Sequence, residues 1–161
     1  MTQTISKPLV LVVDDEVEWQ EAIRAILLSM GAEVLLAGTL QQACEIAAAH
    51  SPESSAPLAL VIIDMRMPQG AKDAQLDEQA GIYVLRAFHA LQAYGLLRCP
   101  MIVFTAWPSY ENCVKAVKAG AWAYVCKQKD EDGTHGASRG IDELKEWCER
   151  VLVKGEALES P

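Results

Sequence analysis

The sequence predicts an α/β protein built on a doubly wound parallel sheet. Three observations carry this. Five short apolar runs recur along the chain, and a helical pattern follows each of them. The central stretch, Leu58 to Pro68 (LALVIIDMRMP), opens with an almost unbroken apolar run that ends in Asp64, as expected of a strand buried on both faces. Strictly alternating strands and helices build parallel sheets with right-handed crossovers. No internal repeat and no second domain is visible.

The elements follow in order. Pro8 to Val13 is the first strand and ends in Asp14-Asp15-Glu16. Ile23, Ile26, Leu27 and Met30 recur at helical spacing, and Gly31 supplies the stop. Glu33 to Ala37 reads as a short second strand. Thr39 then has the chemistry of an N-cap for an alanine-rich helix reaching about Ala49. After the turn-rich 51–57 comes the third strand, ending in Asp64. Residues 69–80 are polar and aperiodic and read as an extended loop. Gly81 opens a third helix, with Val84, Leu85, Phe88 and Leu91 on one face. Pro100 to Thr105 is the fourth strand, Ser109 to Ala119 the fourth helix, and Trp122 to Cys126 the fifth strand, followed by Lys127. Residues 128–140 form a second polar loop, and Ile141, Leu144, Cys148 and Val151 mark a fifth helix. One domain over 8–154 is expected, with 155–161 a disordered tail.

The 161 residues carry a net charge of −8, which disfavours direct nucleic-acid binding. The five cysteines are odd in number and lack a C-x-x-C, so neither a disulfide framework nor a zinc site is indicated. No run is long enough to span a bilayer and the N-terminus has no signal core, so a cytoplasmic protein without membrane insertion is expected. His50, His89 and His135 show no ligand spacing, and Trp147 on the last helix is a candidate exposed partner contact.

In a parallel sheet the carboxyl ends of the strands share one edge, where open α/β folds bind ligands. Asp14 and Asp15, Asp64, Thr105 and Lys127 therefore converge on one crevice. Three carboxylates held close repel one another unless a cation intervenes. A hard divalent ion with oxygen ligands, Mg²⁺, fits that set. With it, Asp64 could approach a phosphoryl group and accept it as an acyl phosphate, while Lys127 and Thr105 hold phosphoryl oxygens. Each residue also has a plain structural explanation. The Asp-Asp-Glu run suits a helix N-terminus, and Asp15 with Glu18 fits a loose capping box. Asp64 and Thr105 could be turn residues, and Lys127 could be solvated. Their joint occurrence at four strand ends favours chemistry.

These residues resemble the receiver domain of two-component response regulators. VLVVDDE resembles its first-strand acidic pair and IIDMRMP its phosphoacceptor segment. FTA, residues 104–106, resembles the switch-threonine segment, and AGAWAYVCK the fifth-strand block. The resemblance implies a flavodoxin-like sheet of order 2-1-3-4-5 flanked by five helices. It implies that Asp64 accepts a phosphoryl group from a sensor histidine kinase or histidine phosphotransfer protein. Asp14, Asp15, Asp64 and the backbone carbonyl of Arg66 would hold Mg²⁺, Thr105 and Lys127 would contact the phosphoryl group, and Tyr124 would be the rotameric switch. Such a protein is no enzyme beyond its own aspartyl phosphorylation and dephosphorylation. It signals to a downstream protein through the fourth helix, fifth strand and fifth helix; homodimerisation stays open.

The chain departs from the family pattern in three respects. The loops after Pro68 and after Lys127 are long. Gln128 stands where many relatives have a cis proline, and a cis bond is costly there. Arg66 and Trp107 flank the expected phosphorylation site and could restrict water access. A single-domain regulator is expected; an isolated receiver from a longer chain is the alternative. Two other readings are a degenerate, phosphate-independent scaffold and a Mg²⁺-dependent phosphohydrolase.

Overall fold

A computed structural model describes residues 6–67, 80–106, 109–127 and 139–155. Its elements are β1 (Leu9–Val13), α1 (Val17–Ser29), β2 (Glu33–Ala37), α2 (Leu40–Ala49), β3 (Leu58–Ile63), α3 (Ala80–Ala93), β4 (Met101–Thr105), α4 (Tyr110–Lys118), β5 (Ala123–Cys126) and α5 (Arg139–Leu152). The strands form one parallel sheet in the order β2-β1-β3-β4-β5. The doubly wound fold and the strand order are thus as expected.

Strand alternation divides the core into two layers. Leu11, Val13, Val61, Ile63, Met101 and Val103 face one side, packed with Ala43 and Ala47 of α2, Leu85 and Phe88 of α3 and Ala116 of α4. Val10, Val12, Leu60, Ile62, Ile102 and Phe104 face the other, packed with Trp19, Ile23 and Leu27 of α1 and Leu144 and Cys148 of α5. β1 is buried along its whole length, as a central parallel strand must be.

Several boundaries move from their expected places. Pro8 and Pro100 lie just outside their strands, having no N–H for the ladder, but their carbonyls accept from Glu33 N–H (2.8 Å) and Val61 N–H (3.0 Å). Trp122 likewise precedes β5. The capping box of Asp15 and Glu18 does not form: Glu16 is the N-cap of α1 and caps with no side-chain bond. Thr39 does cap α2, accepting from Gln42 N–H at 3.2 Å. Ala80 already belongs to α3, and Arg139 and Gly140 to α5. The rest of the two long loops, Trp107, Gln128 and the tail beyond Gly155 lie outside the described residues. Trp147 is not a freely exposed contact: it is half-buried, edge-on to Trp122 at 4.8 Å, with the Arg150 guanidinium 4.5 Å from its ring. Among the described residues no helix is long and apolar enough to cross a membrane.

Candidate functional site

Four polar or charged residues are buried among those described: Asp14, Asp64, Thr105 and Lys127. All stand at carboxyl ends of strands. The ladder itself holds three of them. Asp14 N–H donates to Ala37 of β2 (2.9 Å), Asp64 N–H to Val13 of β1 (2.8 Å), and Lys127 N–H to Thr105 of β4 (2.7 Å). Each backbone is therefore fixed by a neighbouring strand before its side chain does anything.

The side chains then meet. Lys127 Nζ donates to Asp14 Oδ2 at 2.5 Å and to Asp64 Oδ2 at 3.0 Å. By strand parity Lys127 follows Ala123 and Val125 onto the α1/α5 side. There its ammonium lies over the rings of Trp19 (5.2 Å) and Phe104 (5.8 Å), themselves an edge-to-face pair. Glu16 N–H donates to Asp14 Oδ1 at 3.0 Å, and Gln20 Nε2 to the Asp14 carbonyl at 2.5 Å. Arg66 N–H reaches Asp64 Oδ1 at 3.4 Å, which brings the Arg66 backbone to the rim. One carboxylate oxygen from each of Asp14, Asp15 and Asp64 lies within 4.8 Å of the others.

The electrostatics follow from one cation among three acids. Burial raises the Asp14 carboxyl to about 7, Lys127 opposing the rise and Asp64 adding to it. Burial likewise raises Asp15. Burial alone would lower the Lys127 ammonium, but Asp64 and Asp14 together outweigh it and hold the lysine charged, above its ordinary value. The site keeps an excess of negative charge.

Thr105 and Tyr124 belong to the opposite face. Val103 pairs with Tyr124 and Thr105 with Cys126, so Thr105 and Tyr124 share the α3/α4 side of the sheet. Tyr124 is half-buried against that core layer, and burial pushes its hydroxyl up to about 12 against a backbone hydrogen bond with Ser109. The sequence-chosen residues are thus all at the rim or adjoining it. Sequence reasoning missed Trp19 and Phe104 as the floor under Lys127, and Glu16 and Gln20 as partners of Asp14. For Phe104 a signal existed: it precedes Thr105, so it must point to the opposite face. Gly81 was read only as a helix start. It is needed because a Cβ there would lie 2.5 Å from Met65 Cα, against the backbone that carries Asp64.

A family model described as the response regulator receiver domain matches residues 10–137. The chain belongs to this family. Receiver domains are signalling domains of two-component systems, not classical enzymes. Their general function is a phosphorylation switch, and they bind Mg²⁺ at an acidic cluster; in this receiver Asp14, Asp15 and Asp64 form an acidic group. The transcriptional regulatory protein KdpE of Mycobacterium tuberculosis is 34% identical over 119 residues, 74% of this receiver and 44% of that protein. The transcriptional regulatory protein ZraR of Escherichia coli is 32% identical over 123 residues, 76% of this receiver and 24% of that protein. The receiver thus spans less than half the length of these curated relatives. Among solved structures, a CheY-like receiver domain from Methanospirillum hungatei superposes with a TM-score of 0.65 at 23% identity, covering 94% of this chain and all of that one. The phosphorylated cyanobacterial phytochrome response regulator RcpA gives 0.66 at 15% identity, covering 96% of this chain and all of that one. Both share the fold.

Proposed function

We propose that this receiver, a single domain over 8–154, is a cytoplasmic switch that takes a phosphoryl group onto Asp64 from the phosphohistidine of a sensor kinase or phosphotransfer protein. The observation that carries this is Lys127 Nζ bridging Asp14 and Asp64 at 2.5 and 3.0 Å beside a three-carboxylate oxygen set. An Asp64 oxygen would form the new O–P bond as the donor N–P bond breaks, the imidazole leaving with the electron pair. Lys127 would exchange its Asp64 contact for a phosphoryl oxygen. Glu16 N–H keeps Asp14 oriented meanwhile.

The donor set fits Mg²⁺. All its side-chain ligands are oxygens, they lie within 4.8 Å of one another, and Lys127 offsets only part of their charge. Asp14, Asp15, Asp64 and the Arg66 carbonyl would hold the ion, which when bound supplies charge neutralisation on the transferring group. Thr105, on the same face as Tyr124, would close on the phosphoryl oxygen. Space would open for the Tyr124 ring, changing the α4–β5–α5 surface offered to a downstream protein.

Intact-mass analysis after incubation with Mg²⁺ and acetyl phosphate tests the reading. One added phosphoryl group is expected in wild type and none in Asp64→Ala. An adduct that persists in Asp64→Ala overturns it, as does wild type taking nothing from either acetyl phosphate or a phosphohistidine donor. Steady turnover of a generic phosphomonoester would instead support a phosphohydrolase.

A further inference from the structure

A groove of about 270 Å³ runs between α3 and α4, toward the sheet edge opposite the acidic rim. It is lined by Arg86 and His89 of α3 and Lys115 and Lys118 of α4, over small side chains that include Ala90 and Ala93. In a chain of net charge −8, three cationic side chains, Arg86, Lys115 and Lys118, beside His89 around one groove are a local reversal of sign. On α3 the lining positions fall at i, i+3, i+4 and i+7, one helix face about 10 Å long.

The groove is also organised by contacts that its shape alone does not require. Gln92 Nε2 donates to the Cys99 carbonyl at 2.7 Å, which turns Gln92 Oε1 toward His89 Nδ1 at 3.3 Å. The imidazole lies against Gly120, where a Cβ would stand 2.7 Å from Nδ1; with φ at +100°, that position also suits glycine alone. Three segments thus set the place of His89. Lys115 is held by Glu111 at 2.7 Å, one turn earlier on α4. Among the described residues Glu111 is the acidic group paired into the lining, and Arg86 and Lys118 are exposed on either side of the groove.

From this we infer that the α3–α4 groove is a second binding site, separate from the rim, which takes an acidic, extended segment of a partner protein. Its cations are spread along two helices and do not converge on one point, so a row of carboxylates matches them better than a single small anion. A nucleic acid would meet the repulsion of the remaining acidic surface. The alanines leave room for a backbone to lie close between the helices.

Fluorescence anisotropy tests this with a labelled short peptide of alternating glutamate and serine, and its glutamine counterpart as control. The glutamate peptide is expected to bind saturably at low ionic strength and the glutamine peptide not to bind. Arg86→Glu and Lys118→Glu, both at exposed positions, are each expected to weaken binding about fivefold or more. Lys145→Glu on exposed α5 surface and Asp64→Ala are expected to leave it unchanged, so the result does not depend on rim chemistry. Binding that is equal for both peptides, or indifferent to both groove reversals, overturns the inference. So does displacement by inorganic phosphate beyond that of chloride at equal ionic strength, which would make this a small-anion site. Tighter binding of an oligonucleotide through the same residues overturns it too.

Discussion

Val13 and Asp14 are chain neighbours, 0% and 1% exposed, yet their surroundings obey opposite rules. The Val13 side chain lies in a layer of buried apolar side chains, where burial is favourable by about 25 cal/mol per Å². Asp14, one peptide further, is buried at a cost that Lys127 and the Glu16 backbone N–H only partly offset. The layers are stable in themselves, and the rim depends on charge balance. This difference gives a physical reason for placing the proposed chemistry at the strand ends. There a rigid, apolar sheet can hold polar groups out of water in an arrangement they would not choose alone.

The sharpest way to separate the regions is Lys127→Met, which keeps volume and removes the charge. At pH 8 without Mg²⁺ a loss of about 3–5 kcal/mol relative to wild type is expected, because two buried carboxylates lose their cation. With Lys127 gone, Asp14 rises further above its present value of about 7. A raised carboxyl contributes stability that is complete below its unfolded value of 3.8 and is lost as pH climbs through the folded value. The deficit should therefore shrink as pH falls toward 4. Urea unfolding of both proteins at pH 4, 6 and 8 measures it; a deficit constant across that range would mean the lysine acts by packing.

Leu11→Ala is the counterpart in the layers. Leu11 is fully buried in β1, an interior strand, and a loss of about 2–5 kcal/mol is expected from transfer and cavity terms. This loss should be the same at all three pH values. A pH-dependent Leu11→Ala effect would show that the two regions are coupled.

Mg²⁺ is expected to give a smaller effect on the intact protein. A ligand at a hundred times its dissociation constant stabilises by about 2.7 kcal/mol. Asp14 must lose its proton to ligate, so the gain should be larger at pH 8 than at pH 5. Calorimetric Tm values with and without Mg²⁺ check this; an equal gain at both pH values would remove Asp14 from the ligand set.

The two regions were not equally legible in the sequence. The apolar runs and their alternation place five strands, and parallel topology carries Asp14, Asp64, Thr105 and Lys127 to one edge. That much is local periodicity plus one rule of connection. What the rim residues touch is not local. Trp19 comes under Lys127 only because α1 packs against the face that Phe104 also occupies. The α3–α4 groove depends on how two helices lie side by side, and no spacing within either one announces it. The Asp15–Glu18 capping pattern misled because Asp14, not Asp15, turns back to a neighbouring N–H, leaving Glu16 as the cap.

The smallest expected effect lies where the proposed switch would couple the rim to the surface. Ser109 caps α4, accepting from Asn112 N–H at 3.0 Å, just as Thr39 caps α2. Either residue changed to alanine should cost about 1 kcal/mol. The two losses differ in consequence. Thr39 stands at the start of a helix that packs against the sheet far from Tyr124. The Ser109 backbone is itself hydrogen-bonded to the Tyr124 hydroxyl, so fraying this end of α4 loosens the ring's hold. Ser109→Ala should therefore shift the Tyr124 ring resonances in NMR spectra, and Thr39→Ala, matched to it in stability, should leave them in place. Equal responses would mean that the α4 N-terminus carries no signal beyond its share of helix stability.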